Sequence, residues 1–161
     1  MEFETIEIDF ITRTESILKE TKTEYDVTLL LNLCMGLIIF PKEKHFKSLS
    51  KTHDFLKKEL CEIMSHKKKV DLSFLIKRIR NSLCHGNFTC EPDSKKVIKS
   101  IKFWDYDYQK CNFKDNIEIT KLTIEKKEEI DYIEVEFEID KFREFIEFFI
   151  GELKKIDKFK K

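Results

Sequence analysis

The chain has 161 residues, with 31 Lys and Arg and 31 Asp and Glu side chains, so its formal net charge is zero. This length is typical of one domain with a single core. An apolar fraction of 41%, which includes 15 Phe, argues against disorder. Three Gly and two Pro in the whole chain exclude a collagen-like or linker sequence.

The charges are segregated along the chain. Residues 1–41 carry 3 positive and 8 negative side chains, whereas residues 42–85, the basic block, carry 12 positive and 5 negative ones. Residues 113–139 are acidic again, with 4 positive and 9 negative. Because phosphate binding responds to the local field, the neutral total does not exclude a nucleic-acid partner.

Cysteine usage and apolar runs predict where the protein resides. The five Cys form no Cys-x-x-Cys pair, and the first ten residues lack the basic and apolar regions of a signal peptide. We therefore expect a cytoplasmic protein whose thiols stay reduced and pack as small apolar side chains. The longest apolar run, Leu29 to Phe40, contains Asn32 and Gly36 and is too short to cross a bilayer, so no membrane association is expected.

Neither a metal nor a cofactor is expected. His45, His53 and His66 lack ligand spacing to one another or to Cys, and the sequence contains no glycine-rich phosphate-binding motif.

Apolar residues at helical spacing predict the elements of the first half of the chain. One helix covers about Phe3 to Lys19, and a second, from about Glu24 to Phe40, is stopped by Pro41. A third is predicted over roughly Ser50 to His66. Its inward-facing residues are expected to be Phe55, Leu56, Leu60, Ile63 and Met64.

The fourth predicted helix has two distinct faces. It begins after an N-cap at Asp71 and ends at His85, where Gly86 suits the left-handed closing position. On a helical wheel one apolar stripe faces the core, formed by Leu72, Leu75, Ile76, Ile79 and Leu83. The opposite face carries Phe74, Lys77, Arg78, Asn81 and His85, with Arg80 at the border.

After Pro92 the apolar pattern changes from helical to alternating. Strands are predicted over Val97 to Tyr106, over Ile117 to Ile124 with a break in phase, and most clearly over Ile133 to Ile139. A final helix is expected from about Lys141 to Ile156.

The predicted fold class is therefore mainly α, of the α+β type, in one domain spanning 1–161. An antiparallel helical bundle covers about 3–90, a small antiparallel β-sheet insertion covers about 95–139, and the C-terminal helix covers about 141–158.

Two stretches resemble the HEPN superfamily, the higher eukaryote and prokaryote nucleotide-binding domains. Arg80-Asn81-Ser82-Leu83-Cys84-His85-Gly86 resembles the R-N-x3-H-G signature of that superfamily, and it lies at a helix end as it does there. Residues 29–43, LLLNLCMGLIIFPKE, resemble the apolar helix of a plasmid- and phage-defence-associated branch. The resemblance is strongest over about residues 24–90 and implies a HEPN-like bundle.

The resemblance also implies a function: a metal-independent endoribonuclease acting as a homodimer, in the role of a toxin or anti-phage effector. Arg80 would hold the scissile phosphate, His85 would act as general base or acid, and Asn81 would orient His85 or contact the phosphate. Arg80 and His85 point roughly 140° apart on one helix, so two copies related by a twofold axis are expected to share the cleft. RNA-binding residues are expected at Lys77, Arg78, Lys67, Lys68 and Lys69, with Asn32 as a supporting residue.

Other interpretations of the same residues stay open. The end of the fourth helix could be a basic helix terminus in which a His supports the cap, and Asn32 could be a buried amide bonded to backbone. Lys67 to Lys69 could be a solvated loop. Trp104 and Tyr106, on one face of a predicted strand, could stack on bases or pack in the core. The whole protein could be a non-catalytic RNA-, nucleotide- or protein-binding module, such as an antitoxin or a scaffold subunit, and an antitoxin or trigger protein is a possible partner.

Overall fold

The computed structural model describes residues 3–20, 26–39, 46, 49, 61–65, 70–95, 97–106 and 132–156. In chain order the elements are α1 (Phe3–Glu20), α2 (Asp26–Ile39), β1 (Glu62–Ser65), α3 (Leu72–His85), β2 (Phe88–Pro92), β3 (Ile98–Asp105), β4 (Ile133–Glu138) and α4 (Ile139–Lys154). Within this part of the chain no helix is long and apolar enough to cross a membrane.

The four strands form one antiparallel sheet in the order β1-β4-β3-β2. Strict alternation along β4 sends its apolar residues to one face and its glutamates to the other. The inner face of the sheet packs against α3 and α4, and its buried residues are Ile101, Phe103, Ile133, Val135 and Phe137.

The core between the sheet and α4 is aromatic. Phe142, Phe145 and Phe149 recur at helical spacing along α4 and are at most 1% exposed. The Phe145 ring lies 4.9 Å from that of Phe137, within the range of favourable aromatic pairs. Part of the buried face of the helix is therefore fixed against the sheet, and the rest packs on α1 and α2.

Gly36 explains why α1 and α2 pack closely. A Cβ at this position would lie 2.3 Å from the ring of Phe10, so no larger residue fits without a shift. The close contact between α1 and α2 therefore accounts for a glycine in the apolar stretch of α2.

Most predicted elements are confirmed. The helices predicted near residues 3–19, 24–40, 71–85 and 141–156 and the strands predicted near 97–106 and 133–139 are all present. The structure is a mainly helical α+β fold with a small antiparallel sheet, as expected.

The prediction that the third helix extends to about His66 is wrong. Glu62–Ser65 forms β1, which pairs with β4 through register partners such as Ile63 and Val135. This short segment gains its backbone hydrogen bonds from a strand some seventy residues away, which local periodicity does not reveal. Ile63 still packs against the core as expected. Residues 51–60, with Phe55, Leu56 and Leu60, lie outside the described residues.

Strand β2 was not foreseen from the sequence. It begins at Phe88, two residues after Gly86, and forms an edge of the sheet whose register shifts between Glu91 and Pro92. Proline is tolerated there because an edge strand has one side without ladder bonds. The strand predicted over 117–124 lies outside the described residues.

The cysteines divide by burial. Cys34 and Cys61 are buried, as expected for small apolar side chains, and burial raises the pKa of the Cys34 thiol to about 12. Cys84 is exposed, which corrects the expectation for that residue, because it lies on the solvent side of the last turn of α3. Cys90 is half-buried.

Candidate active site at the end of helix α3

Helix α3 is defined by a cap at each end. The Asp71 carboxylate accepts a hydrogen bond from the backbone N–H of Phe74 at 2.8 Å. At the other end Gly86 takes φ 70°, its N–H donates to the carbonyl of Leu83, and the N–H of Asn87 donates to that of Ser82. His85 is consequently the last helical residue.

The core stripe predicted for α3 is confirmed. Its five apolar residues are between 0% and 8% exposed. The opposite face is graded in exposure. Lys77 and His85 are exposed, and Arg78, Arg80 and Asn81 are half-buried. The structure thus places Arg80, Asn81 and His85 outside the buried apolar stripe of the helix.

A buried carboxylate lies against this face. Asp105, the last residue of β3, is 1% exposed. Its Oδ2 accepts a hydrogen bond from Arg78 Nη1 at 2.8 Å and another from Asn81 Nδ2 at 3.2 Å. The Arg78 guanidinium also lies 4.9 Å from the centre of the Phe74 ring, a cation–π distance. Arg78, predicted from the sequence as an RNA contact, therefore has a buried partner within the chain.

Sequence reasoning missed Asp105, although a signal existed. Side chains alternate along a strand, and Asp105 follows Ile101 and Phe103 at intervals of two residues. Its carboxylate is therefore expected on the same face as those two, towards the core. An acid in that phase requires a cation or hydrogen-bond donors opposite it. The basic face of α3 supplies both.

The neighbouring residue of β3, Trp104, fixes the backbone of the same region. The Ser82 hydroxyl, 1% exposed, lies 2.8 Å from the carbonyl oxygens of both Trp104 and Arg78, so its one proton is shared between them. The Trp104 N–H donates to the carbonyl of Asn87 at 3.1 Å. Two adjacent residues of β3 thus hold Asn81, Ser82 and Asn87. Trp104 and Tyr106 themselves are half-buried.

The remaining predicted residues lie elsewhere. Asn32 is exposed on α2, so the expectation of a buried amide is wrong. The buried face of this helix includes Leu30, Leu33 and Cys34, and Asn32 is not part of it. Its supporting role stays a prediction. Lys67, Lys68 and Lys69 lie outside the described residues. Among the residues that are described, no group of three His, Cys, Asp or Glu side chains could hold a metal ion.

The outer face of the sheet has the opposite character. A groove of about 140 Å³ is lined by Glu62, Ile63, Glu134 and Glu136. Lys102 lies 3.5 Å from Glu134 and 3.3 Å from Glu136, and Ser100 donates to Glu136 at 2.8 Å. The Ser100 hydrogen bond and Lys102 together hold the pKa of Glu136 below its ordinary value, against burial. An acidic face of this kind repels phosphate, so the basic end of α3 is the better candidate for a nucleic-acid site.

The fold and the site together define a class. A mainly helical α+β domain in which Arg-Asn-x3-His closes a capped helix is a HEPN-type domain. A family model confirms this: the model for HEPN pEK499 p136 matches residues 1–158, and the chain therefore belongs to this family. Searches among curated proteins and among solved structures each find no match.

Proposed function

We propose that this protein is a metal-independent endoribonuclease that cleaves RNA at a site shared by two copies of the chain. The observation that carries the proposal is the placement of Arg80, Asn81 and His85 on the non-core face of α3, with His85 exposed at the helix end. Membership of the HEPN family supports it.

The chemistry follows from these side chains. The ribose 2′-oxygen attacks phosphorus, the bond from phosphorus to the 5′-oxygen breaks, and a 2′,3′-cyclic phosphate forms. The His85 imidazole takes the 2′-hydroxyl proton, and the imidazolium so formed protonates the leaving 5′-oxygen. Arg80 stabilises the charge that develops on the phosphoryl oxygens, for which a planar guanidinium is well suited.

Geometry favours a site made from two copies. Arg80 and His85 are five residues apart on one helix, so they point roughly 140° apart and are offset by about 7.5 Å along the axis. A single copy cannot easily close both around one phosphate. A twofold-related pair brings Arg80 of one copy to His85 of the other.

In the cell, such an enzyme fits a cytoplasmic toxin or anti-phage effector that is released by a trigger or restrained by an antitoxin. Lys77 is exposed on the same helix, which supports a role in contacting RNA outside the cleft.

The test is RNA cleavage in EDTA by the wild type and by the His85→Ala and Arg80→Ala variants. We expect each substitution to lower the rate by about 100-fold or more, which is typical of losing acid–base or oxyanion stabilisation. Cys84→Ser is the matched control, since Cys84 is an exposed residue of the same motif with no assigned role. Product ends should carry the cyclic phosphate.

Mixing the two inactive variants tests the shared site. If each phosphate is held by Arg80 of one copy and His85 of the other, mixed dimers contain an intact pair and regain part of the activity. Activity that survives both single substitutions would falsify the roles of these residues. If the wild type binds RNA and cuts none, the binding-module interpretation is correct.

A further inference from the structure

Asp105 is a candidate for a role in the site that its place in the sequence does not reveal. It lies on β3, 20 residues after His85, and at 1% exposure it cannot touch RNA. Any effect on cleavage must therefore pass through the two side chains that it binds, Arg78 and Asn81.

The chemistry of a carboxylate decides how Asn81 is oriented. An ionised carboxylate only accepts hydrogen bonds, so the Asn81 amide must turn its nitrogen towards Asp105, as the 3.2 Å contact shows. The carbonyl oxygen of the same amide then points away from Asp105. Without this partner, the two ends of the amide would have no such fixed preference.

The second bond to Asp105 sets the direction. The same Oδ2 accepts from Arg78, which precedes Asn81 by three residues and so lies about one turn earlier on the same face. The carboxylate therefore lies towards the N-terminal side of Asn81. The amide carbonyl is turned away from this carboxylate, and His85 follows Asn81 one turn later on the same helix.

We infer that Asp105 is a positioning residue of the proposed ribonuclease: it presents the Asn81 carbonyl, an acceptor, to the His85 end of the cleft. This inference rests on the proposed function. It also chooses between two roles for Asn81. A carbonyl accepts from an imidazole N–H or from a ribose 2′-hydroxyl, and it repels a phosphate oxygen, so Asn81 orients the acid–base group or the nucleophile.

The buried ion pair complicates the obvious variant, because removing Asp105 alone breaks the ion pair with Arg78 and puts folding at risk. Two double variants avoid this. Arg78→Met with Asp105→Asn removes both charges and keeps an oxygen that can accept from Asn81, while the new amide nitrogen ends the acceptor-only character of the carboxylate. Arg78→Met with Asp105→Leu removes both charges and that acceptor. Both variants are first compared by thermal unfolding.

The readout is single-substrate RNA cleavage with kcat and KM measured separately. We expect the Asp105→Leu double variant to lose between about 10-fold and 100-fold in kcat relative to the Asp105→Asn double variant, with KM unchanged, since misplacing one group has effects of this size. Equal kcat values in two equally folded variants would overturn the inference. In an Asn81→Ala background the difference between the two variants should vanish.

A second measurement separates this inference from the proposed function. In nitrogen-15-labelled protein, the side-chain amide protons of Asn81 should be shifted and slow to exchange in the wild type and in the Asp105→Asn double variant. They should return to ordinary positions in the Asp105→Leu double variant. If the wild type cuts no RNA, the proposed function fails, and unchanged Asn81 signals in the Asp105→Leu double variant would independently overturn the orientation that Asp105 is inferred to impose.

Discussion

Two regions of this molecule pair carboxylates with cations, and they differ in burial. At the end of α3, the Arg78 and Asp105 side chains are 12% and 2% exposed. On the outer face of the sheet, Lys102, Glu134 and Glu136 are 29%, 18% and 34% exposed. Water solvates the second set in both the folded and unfolded states, but it is excluded from the first.

This difference separates two roles for the same kind of contact. The buried pair must be satisfied for the chain to fold, and its oxygen also binds a residue of the candidate site. The outer set lies on a single face of β3 and β4 and adjusts the local charge. We therefore expect substitutions at the end of α3 to affect stability and cleavage together, and substitutions on the outer face to have small effects on either.

The largest expected difference is between Asp105→Ala and Glu136→Ala. Asp105→Ala breaks the ion pair of the Arg78 guanidinium, which is nearly buried. The substitution should lower the free energy of unfolding by about 3 kcal/mol or more. Glu136→Ala removes contacts of a carboxylate that is one-third exposed, and the loss should stay below about 1 kcal/mol. Urea unfolding of both variants measures the two values. Equal losses would contradict the comparison.

A smaller difference is expected between the two buried hydroxyls, Ser82 and Ser100. Ser82→Ala takes the shared donor from the carbonyls of Trp104 and Arg78, which should lower the free energy of unfolding by about 1–2 kcal/mol. Ser100→Ala releases Glu136, whose carboxylate can be rehydrated, so the loss should be about 0.5 kcal/mol. Thermal or urea unfolding at pH 7 checks both. A larger loss at Ser100 would show that the outer face is the more constrained region.

The smallest expected effect is a pH dependence that comes from Glu136 on the outer face. The pKa of Glu136 is lowered in the folded state, chiefly by the Ser100 hydroxyl and further by Lys102. Ionised Glu136 therefore contributes stability above its unfolded value of about 4.5, and this contribution is lost as the pH falls through the folded pKa. Glu136→Gln should flatten the stability profile slightly below about pH 4.5. Ser100→Ala should shift the same change to higher pH. If the dependence of stability on pH is unaltered in both variants, Glu136 does not contribute to it.

The helical part of the fold was largely predictable, because one-sided burial imposes a period that local sequence displays. The apolar stripe of α3, the Asp71 cap and the Gly86 closure all agree with the structure. The two short strands were not predictable in this way. Glu62–Ser65 and Phe88–Pro92 have four and five residues, too few to show a period. The first pairs with a strand some seventy residues away, and the second pairs with the next strand along the chain.

The candidate site likewise has a part that local sequence reveals and a part that depends on tertiary contacts. Arg80, Asn81 and His85 were found by their spacing on one helix, which is a local property. Asp105, which binds Asn81 and Arg78, was missed as a partner because these hydrogen bonds between α3 and β3 join residues 24 and 27 positions apart.

By itself, the sequence determined four of the predicted helices, the clearest strands, the basic face of α3 and the motif at its end, since all of these depend on residues within a few turns of one another. Only the tertiary structure decided that Glu62–Ser65 is a strand, that Arg78 is tied to a buried acid, and that the Asn81 amide nitrogen faces the same acid. Those outcomes depend on where distant segments meet, and a buried charge is satisfied by whatever partner the fold brings to it.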